Sequence, residues 1–459
     1  MPYGFLLTYR QRSNDMHKRT AAHLMRKWFG YYVNISSNGR EEKMRKSFKY
    51  RLYPNKTTEK KLTEVLDRCR ELYNACVQER RDAYTIRVKQ HPNYYDPEWR
   101  KQATKEHHIS QYDQQNELPE MKEIREEYQE IGSHVLQNVC KRVEDVFAGF
   151  FDRIKGGKTP GYPRFKGKNR YESFSYPDKA GWKMQGARLT LTKIGTARVK
   201  LHRPMEGKIK TCTIKREGEH WYVVFSCEVE ASERLAYTDD AVGIDLGLLH
   251  FATLSTLDTR ENPRIYRKTE KKLAKAQRSL AKKKRRSHRR ARAVKRLARL
   301  HRKARNQRQD FLHKASRSLV DTFDTLVFEE LAPSNLSRRP KPKQDENGKY
   351  LPNGAAAKGG LNKSVADAGW SEFVGMCTYK AAYAGRTVLQ VNPKYTSQVC
   401  SGCGTVRKKA LDERWHSCEC GTELDRDHNA AINIKRLGRS QQAAHLRASG
   451  GSPVEAPAF

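Results

Sequence analysis

The sequence predicts a multidomain α+β protein: a β domain with a helical insertion, then a second mixed unit that carries a cysteine-rich insert. Three observations predict it. Apolar residues alternate with period two over 46–53 and again over about 171–231, as in half-buried strands. Between those stretches the apolar spacing is three and four, as in amphipathic helices. Downstream, two short apolar strands flank a long basic helical segment. At roughly 100–200 residues per domain, 459 residues suit two to four domains.

Residues 1–43 show no sustained periodicity and read as a disordered extension or a misassigned start. Met44 opens the first strand, with Phe48, Tyr50 and Leu52 on one face and Pro54 ending it. Thr57 or Thr58 is expected to cap the next helix. Its apolar face is Leu62, Val65, Leu66, Cys69, Leu72, Tyr73 and Cys76. Residues 85–130 read as polar helix and loop. A second long helix follows over about 133–154 and is stopped by Gly156, Gly157 and Pro160. The insertion therefore spans about 57–155 within a β domain of 44–240. Leu189/Leu191, Cys212/Ile214 and Trp221/Val223/Phe225/Cys227 mark the later strands, an antiparallel sheet or small barrel. The second unit, 241–436, opens on the strand Ala241–Gly247, hairpinned to Phe251–Leu254. One basic helix is expected over 267–314, then a strand over 325–331 and a polar loop over 337–362. A helix (about 366–385) and a strand (387–391) precede a cysteine module over 396–424. Residues 437–459 are rich in Gly, Ser and Ala and read as a disordered tail.

Charge narrows the function. The net charge is +39, which opposes compaction unless a polyanion neutralises it. Residues 267–308 alone hold 21 Lys and Arg against one acid, Glu270. A solvated charged face is the ordinary explanation for such a run, but these cations have almost no acids nearby to pair with. They suit contacts to a phosphate backbone, which position a nucleic acid without reading its sequence. Lys282, Lys283, Lys284, Arg285, Arg286, Arg289, Arg290 and Arg296 are the candidate contacts. A membrane is the weaker candidate: no run approaches the ~18 apolar residues of a spanning helix, and no secretory h-region is visible.

Two constellations carry chemistry. Cys400-x-x-Cys403 and Cys418-x-Cys420 are separated by fourteen residues, and each pair is followed by glycine. Four unrelated thiols are the alternative, but two close pairs at this separation suit one tetrahedral structural zinc. The other six cysteines stand in apolar contexts, as buried thiols do in a reducing cytosol. The second constellation is acidic. Asp245 sits among Val242, Ile244 and Leu246; Glu329 follows Leu326, Val327 and Phe328; Asp427 begins a helix. An acid in an apolar strand is costly to bury without a partner or a metal. Each could pair with an arginine or lysine. Together they could converge on two divalent cations that clamp a phosphodiester.

At this point the chain resembles the TnpB family of transposon-encoded RNA-guided DNA endonucleases, relatives of the type V CRISPR effectors. The matching pieces, in family order over about 44–436, are Lys49–Pro54, Cys69-Arg70-x-x-Tyr73-Asn74, Phe150-Phe151 with Pro160–Lys166, Gly243-Ile-Asp-Leu-Gly247, Phe328-Glu-Glu-Leu331 and Ala368-Gly-Trp370. Tyr395-Thr-Ser-Gln398 with the cysteines and Asp425-Arg-Asp-His-Asn-Ala-Ala431 complete them. The extension 1–43 departs from the pattern. The resemblance implies a wedge β-barrel with an inserted helical recognition domain, then a RuvC-like nuclease of RNase H fold with a zinc-ribbon insert. It implies Asp245, Glu329 and Asp427 as catalytic ligands of magnesium or manganese, with Glu330 and Asp425 as adjacent lookalikes. It also implies a guide (omega) RNA, a double-stranded DNA target, one protein per RNA, and action at the prokaryotic nucleoid in the cytoplasm. A nuclease-dead RNA-guided binding protein and a transposase acting in strand transfer are the rival classes. Intact acids weigh against the first, and the resemblance against the second.

Overall fold

The computed structural model describes residues 44–168, 170–230, 235–410 and 413–448; the expected extension 1–43 and the residues after 448 lie outside them. The chain divides into two compact units, parting at residue 230.

The first unit is built around β1 (Met44–Tyr53). Phe48, Tyr50 and Leu52 are buried on one face, and that alternation makes β1 the central strand of seven. Its neighbours come from far along the chain: β2 (Ser173–Tyr176), β3 (Trp182–Gln185), β4 (Arg188–Leu191), β5 (Gly195–Lys200), β6 (Lys208–Glu217) and β7 (His220–Val229). The order is β2-β6-β7-β1-β5-β4-β3, antiparallel throughout. A register shift between Ile209 and Thr211 explains why the apolar alternation skips a position before Cys212. The sheet curls enough for Trp182 of β3 to meet Phe225 of β7, with ring centroids 5.5 Å apart.

Two long helices dominate the insertion, α1 (Lys56–Tyr84) and α2 (Ser133–Lys155). The cap of α1 is Asn55, which accepts from the Thr58 N–H at 2.8 Å, and not Thr57 or Thr58. Thr58 is turned inward and buried. Short helices at Pro97–Glu106, Gln111–Asn116 and Leu118–Ile124 fill the connection. Arg80 joins it together, donating to Gln114 at 3.0 Å and to Glu144 of α2 at 2.8 Å.

The second unit begins earlier than expected. Residues 235–240 belong to it: Leu235 bonds to the Ala384 carbonyl, and the Thr238 and Asp240 N–H groups donate to Asp324. Buried Asp324 also pairs with Arg386. The sheet contains β8 (Ala241–Asp245), β9 (His250–Leu254) and β10 (Thr259–Glu261), followed after two helices by β11 (Thr325–Glu329). The helices are α3 (Ile265–Ala281) and α4 (His288–Thr322). A small hairpin, β12 (Lys343–Gln344) and β13 (Tyr350–Leu351), precedes α5 (Ala355–Ala368), α6 (Trp370–Ala384) and β14 (Thr387–Val391). Sheet order is β10-β9-β8-β11-β14, with β8, β11 and β14 parallel and β9 and β10 antiparallel. After β15 (Trp415–Ser417) and β16 (Glu423–Asp425), the final helix α7 (Arg426–Ala448) covers one face. Phe373 of α6 meets Phe251 and Phe328 on the other.

Three expectations are corrected here. The single basic helix 267–314 is two helices, because Ser287 starts α4 as its cap, accepting from Arg290 N–H at 3.1 Å, and Arg286 before it is left-handed. The polar loop 337–362 contains the hairpin and most of α5, whose Ala355–Ala357 start favours helix. The tail 437–459 is helical as far as Ala448. Gly438 does not break α7; a β-carbon there would fall 2.5 Å from Val327, so the glycine permits close packing. Among the described residues no helix is long and apolar enough to cross a membrane.

Candidate active site and cysteine knuckle

Strand parity brings the acids together. Ala241, Gly243 and Asp245 share one face of β8; Thr325, Val327 and Glu329 share one face of β11. The strands are parallel, with Val327 beside Gly243 and Phe328 beside Ile244. The next step sets Glu329 beside Asp245 at the carboxyl ends, where open α/β sheets bind ligands. α7 lies on this same face. A β-carbon on Gly243 would fall 2.0 Å from the Ala431 carbonyl oxygen, so only glycine admits the helix so close. The first turn of α7, with Asp427, therefore reaches the strand ends.

The three carboxyls feel one another. Loss of hydration pushes Asp245 well above the usual carboxylate range, and the nearby Glu329 and Asp427 push it further. Burial also raises Glu329, opposed by a hydrogen bond from Thr396 and helped by Asp427. Burial raises Asp427, with Asp425 adding and Arg414 and Arg426 opposing. None of the three forms an ion pair among the described residues, so the expected alternative of simple pairing with arginine or lysine is not what the structure has. Like-charged carboxyls held together, with Arg414 and Arg426 easing their repulsion but in no ion pair with them, are a donor set suited to hard divalent cations. Among the described residues the four cysteines are the set whose ligand atoms all lie within 4.8 Å of one another; the three carboxyls are not gathered that tightly.

The lookalike acids are placed differently. Glu330 is exposed and follows the end of β11. Asp425 caps α7, accepting from the Asp427 N–H at 2.8 Å and the His428 N–H at 3.4 Å.

The four cysteines gather as expected, with their sulfur atoms within 4.8 Å of one another. Cys400 and Cys420 are 3.6 Å apart, as are Cys403 and Cys418. Sulfurs about 2.3 Å from a tetrahedral zinc lie about 3.8 Å apart, so the set fits that ion. Gly404 and Gly421, one after each pair, occupy left-handed backbone that favours glycine. Burial works against a Cys400 thiolate, yet the Cys403 and Gly402 N–H groups and the neighbouring His416 and Thr422 side chains bring its pKa down to about 5. His416 is fully buried and also contacts Lys409; it is a neighbour of the sulfurs, not a fifth ligand.

Most of the basic candidates cluster at the junction of α3 and α4. Lys282, Lys284, Arg285, Arg286, Arg289 and Arg296 are exposed, and Lys283 is half-buried. Arg290 turns inward, donating to the Leu280 and Lys283 carbonyls, and so braces the junction.

Three site residues escaped the sequence argument: Thr396, which bonds to Glu329, and Asn429 and Asn433 on α7. The available signal was two asparagines four apart on the helix face that carries Ala430 and Ile434, a polar pair where burial is expected.

A family model described as "Probable transposase" matches residues 224–339, one described as "Cas12f1-like, TNB domain" matches 370–434, and one described as "Helix-turn-helix domain" matches 44–89, here β1 followed by α1. A protein of Streptomyces pristinaespiralis named "Putative RNA-guided DNA endonuclease" is 31% identical over 410 residues, covering 88% of this chain and 91% of that one. The chain belongs to the TnpB family. A second relative, the "Putative RNA-guided DNA endonuclease InsQ" of Escherichia coli, is 31% identical over 325 residues, 70% of this chain and 79% of its own. A Cas12f1 chain solved with sgRNA and target DNA aligns with a TM-score of 0.45 at 14% identity, over 86% of this TnpB-family chain and 99% of that one.

Proposed function

We propose that this TnpB-family protein is an RNA-guided DNA endonuclease. A bound guide RNA would select the target by base pairing, while the protein reads helix shape and a short motif beside the target. The convergence of Asp245, Glu329 and Asp427 at the ends of β8, β11 and the start of α7 carries this reading. In it, residues 241–436 form a RuvC-like nuclease of RNase H fold, the sheet around β1 is the wedge, and the insertion of about 57–155 is the recognition domain. Guide and duplex would meet in the prokaryotic cytoplasm, at the nucleoid.

Asp245, Glu329 and Asp427 would hold two magnesium or manganese ions. When bound, these supply activation of water and neutralisation of charge on the phosphodiester oxygens. The strand ends fix two carboxylates on rigid backbone, and the α7 cap at Asp425 fixes the third. Exposed cations from Lys282 to Arg296 hold the phosphate backbone. The cysteines hold zinc that stabilises the knuckle and takes no part in cleavage.

The test is plasmid cleavage in magnesium by protein carrying its co-expressed RNA. Asp245→Ala, Glu329→Ala and Asp427→Ala should each lose activity by orders of magnitude and keep target binding, since such groups act as a unit. Asp425→Ala should lose about 1 kcal/mol of stability with its cap and keep most activity. Near-normal cutting by Asp245→Ala overturns the mechanism. Joined strands instead of free ends would favour transposase chemistry.

A further inference from the structure

One turn touches everything that matters in this unit. Tyr395 is left-handed, with φ of 67°, a conformation that side chains other than glycine avoid. That kink delivers Thr396 to the interior, where it is 4% exposed and its hydroxyl donates to Glu329 Oε1. The Thr396 carbonyl accepts from Asn433 Nδ2 at 2.9 Å. Three residues on, the Val399 carbonyl accepts from both Asn433 and Asn429, each at 2.7 Å. The Ser401 N–H donates to Asn429 Oδ1 at 2.9 Å. Cys400, the first zinc ligand, stands between those two held positions. Both asparagines are buried, and α7 carries Asp427 in its first turn. The turn 396–401 thus connects Glu329, the knuckle and the helix that bears Asp427.

We propose that Thr396 is a positioning residue that orients the Glu329 carboxylate, and that Asn429 and Asn433 make this orientation depend on the metal-loaded cysteine knuckle. The proposal rests on the reading of Glu329 as a cation ligand. A glutamate at a strand end keeps the rotatable bonds of its own side chain, down to the one that spins the carboxylate. A hydroxyl donating to one oxygen leaves the other aimed in a single direction. The hydroxyl is itself held by a turn with no regular secondary structure, so its position depends on the asparagine bonds and on the sulfur cluster that closes the turn. Groups that orient metal ligands in this way typically contribute about ten- to a hundredfold in metal affinity.

The experiment uses full-length protein with its co-purified RNA and follows Mn2+ binding by electron paramagnetic resonance, without substrate. Thr396→Val keeps the shape and removes the hydroxyl; Thr396→Ser keeps the hydroxyl. Mn2+ affinity should fall about tenfold or more in Thr396→Val and return in Thr396→Ser, with zinc content and target binding unchanged in both. Cys418→Ser should lose zinc and weaken Mn2+ binding in the same direction. Asp245→Ala identifies the acid-site part of the signal, since it should remove that part and leave only Mn2+ held by the RNA phosphates. If Asp245→Ala removes that part and Thr396→Val leaves it unchanged, the positioning role is wrong. If Cys418→Ser loses zinc and Mn2+ affinity holds, the dependence on the knuckle is wrong. If Asp245→Ala itself leaves Mn2+ binding intact, the acid-site reading fails, and this inference with it.

Discussion

At the scale of the residue, Asp245 shows why an acid in an apolar strand is informative. Sequence alone exposed it, because Val242, Ile244 and Leu246 leave no ordinary reason for a carboxylate there. Glu329 was legible for the same reason. Asp425 and Asp427 were not separable in the sequence, since both stand at a helix start; the structure shows Asp425 accepting the N–H groups of Asp427 and His428 as the cap. Thr396 was invisible for a different reason: its partner lies 67 positions away, and nothing local marks a buried threonine as a donor to a carboxylate. Asp245 also predicts a trade of stability against function. Without metal, loss of hydration opposes its charge and Glu329 and Asp427 oppose it further, so Asp245→Asn should raise the melting temperature of the metal-free protein. Thermal melts in EDTA at pH 7 measure this. Adding magnesium should raise the melting temperature of the parent protein and leave the variant nearly unmoved. A variant that melts lower in EDTA would show that the carboxylates do not repel one another as described.

At the scale of the element, period and punctuation located β1, β4 to β9, β11 and β14 and the long helical segments, and missed the other short strands, which hold too few residues to show a period. The break between α3 and α4 carries no glycine or proline; it depends on Ser287 capping a helix inside a charged run. The extension of α7 past Gly438 depends on Val327, a contact that no local pattern reveals. The sheet of the first unit has its own test in Glu217. This carboxylate lies between Lys49 of β1 at 2.7 Å and Lys215 of β6 at 3.1 Å. Burial works against its charge, but the two lysines outweigh that and bring its pKa down to about 2. In the unfolded chain it returns to about 4.3. The unfolded state therefore binds more protons across that window, and stability rises with pH through it. The contribution is complete above about pH 4.5 and is lost as pH falls toward 2. Both lysines are part-exposed, which limits it to about 1 kcal/mol. Glu217→Gln should lose that much in urea unfolding at pH 7, with the difference from the parent closing as pH approaches 2. An equal loss at both ends of the range would mean that packing, not charge, is what Glu217 contributes.

At the scale of the whole molecule, charge is the property that composition alone made plain, and the fold explains how so much of it is tolerated. About half of the net +39 falls within 267–308, on α3 and α4 and their junction. There the backbone satisfies itself as helix, and many side chains, Lys282, Lys284, Arg285, Arg286 and Arg289 among them, are exposed. Buried positions on this pair are few: Leu273 and Ala276 on α3, and Leu312, Ser316, Leu319 and Val320 near the end of α4. The cations are thus displayed by helices anchored at one stretch each, not drawn into a core. A surface of this kind binds phosphates by releasing condensed counterions, so affinity should fall steeply with salt. On duplex DNA, log K should change with log salt by about −0.9 for each phosphate contact. Arg290 is excluded from the count because it holds the junction together. Replacing Lys282, Lys284, Arg285, Arg286 and Arg289 by glutamine should therefore flatten the slope by about 4.5 if each touches a phosphate. Titration of labelled target duplex between low and physiological salt measures it, with circular dichroism confirming that α3 and α4 persist. A fivefold-substituted protein with the parental slope would show that the junction faces only water, and that the polyanion neutralising this chain binds elsewhere on it.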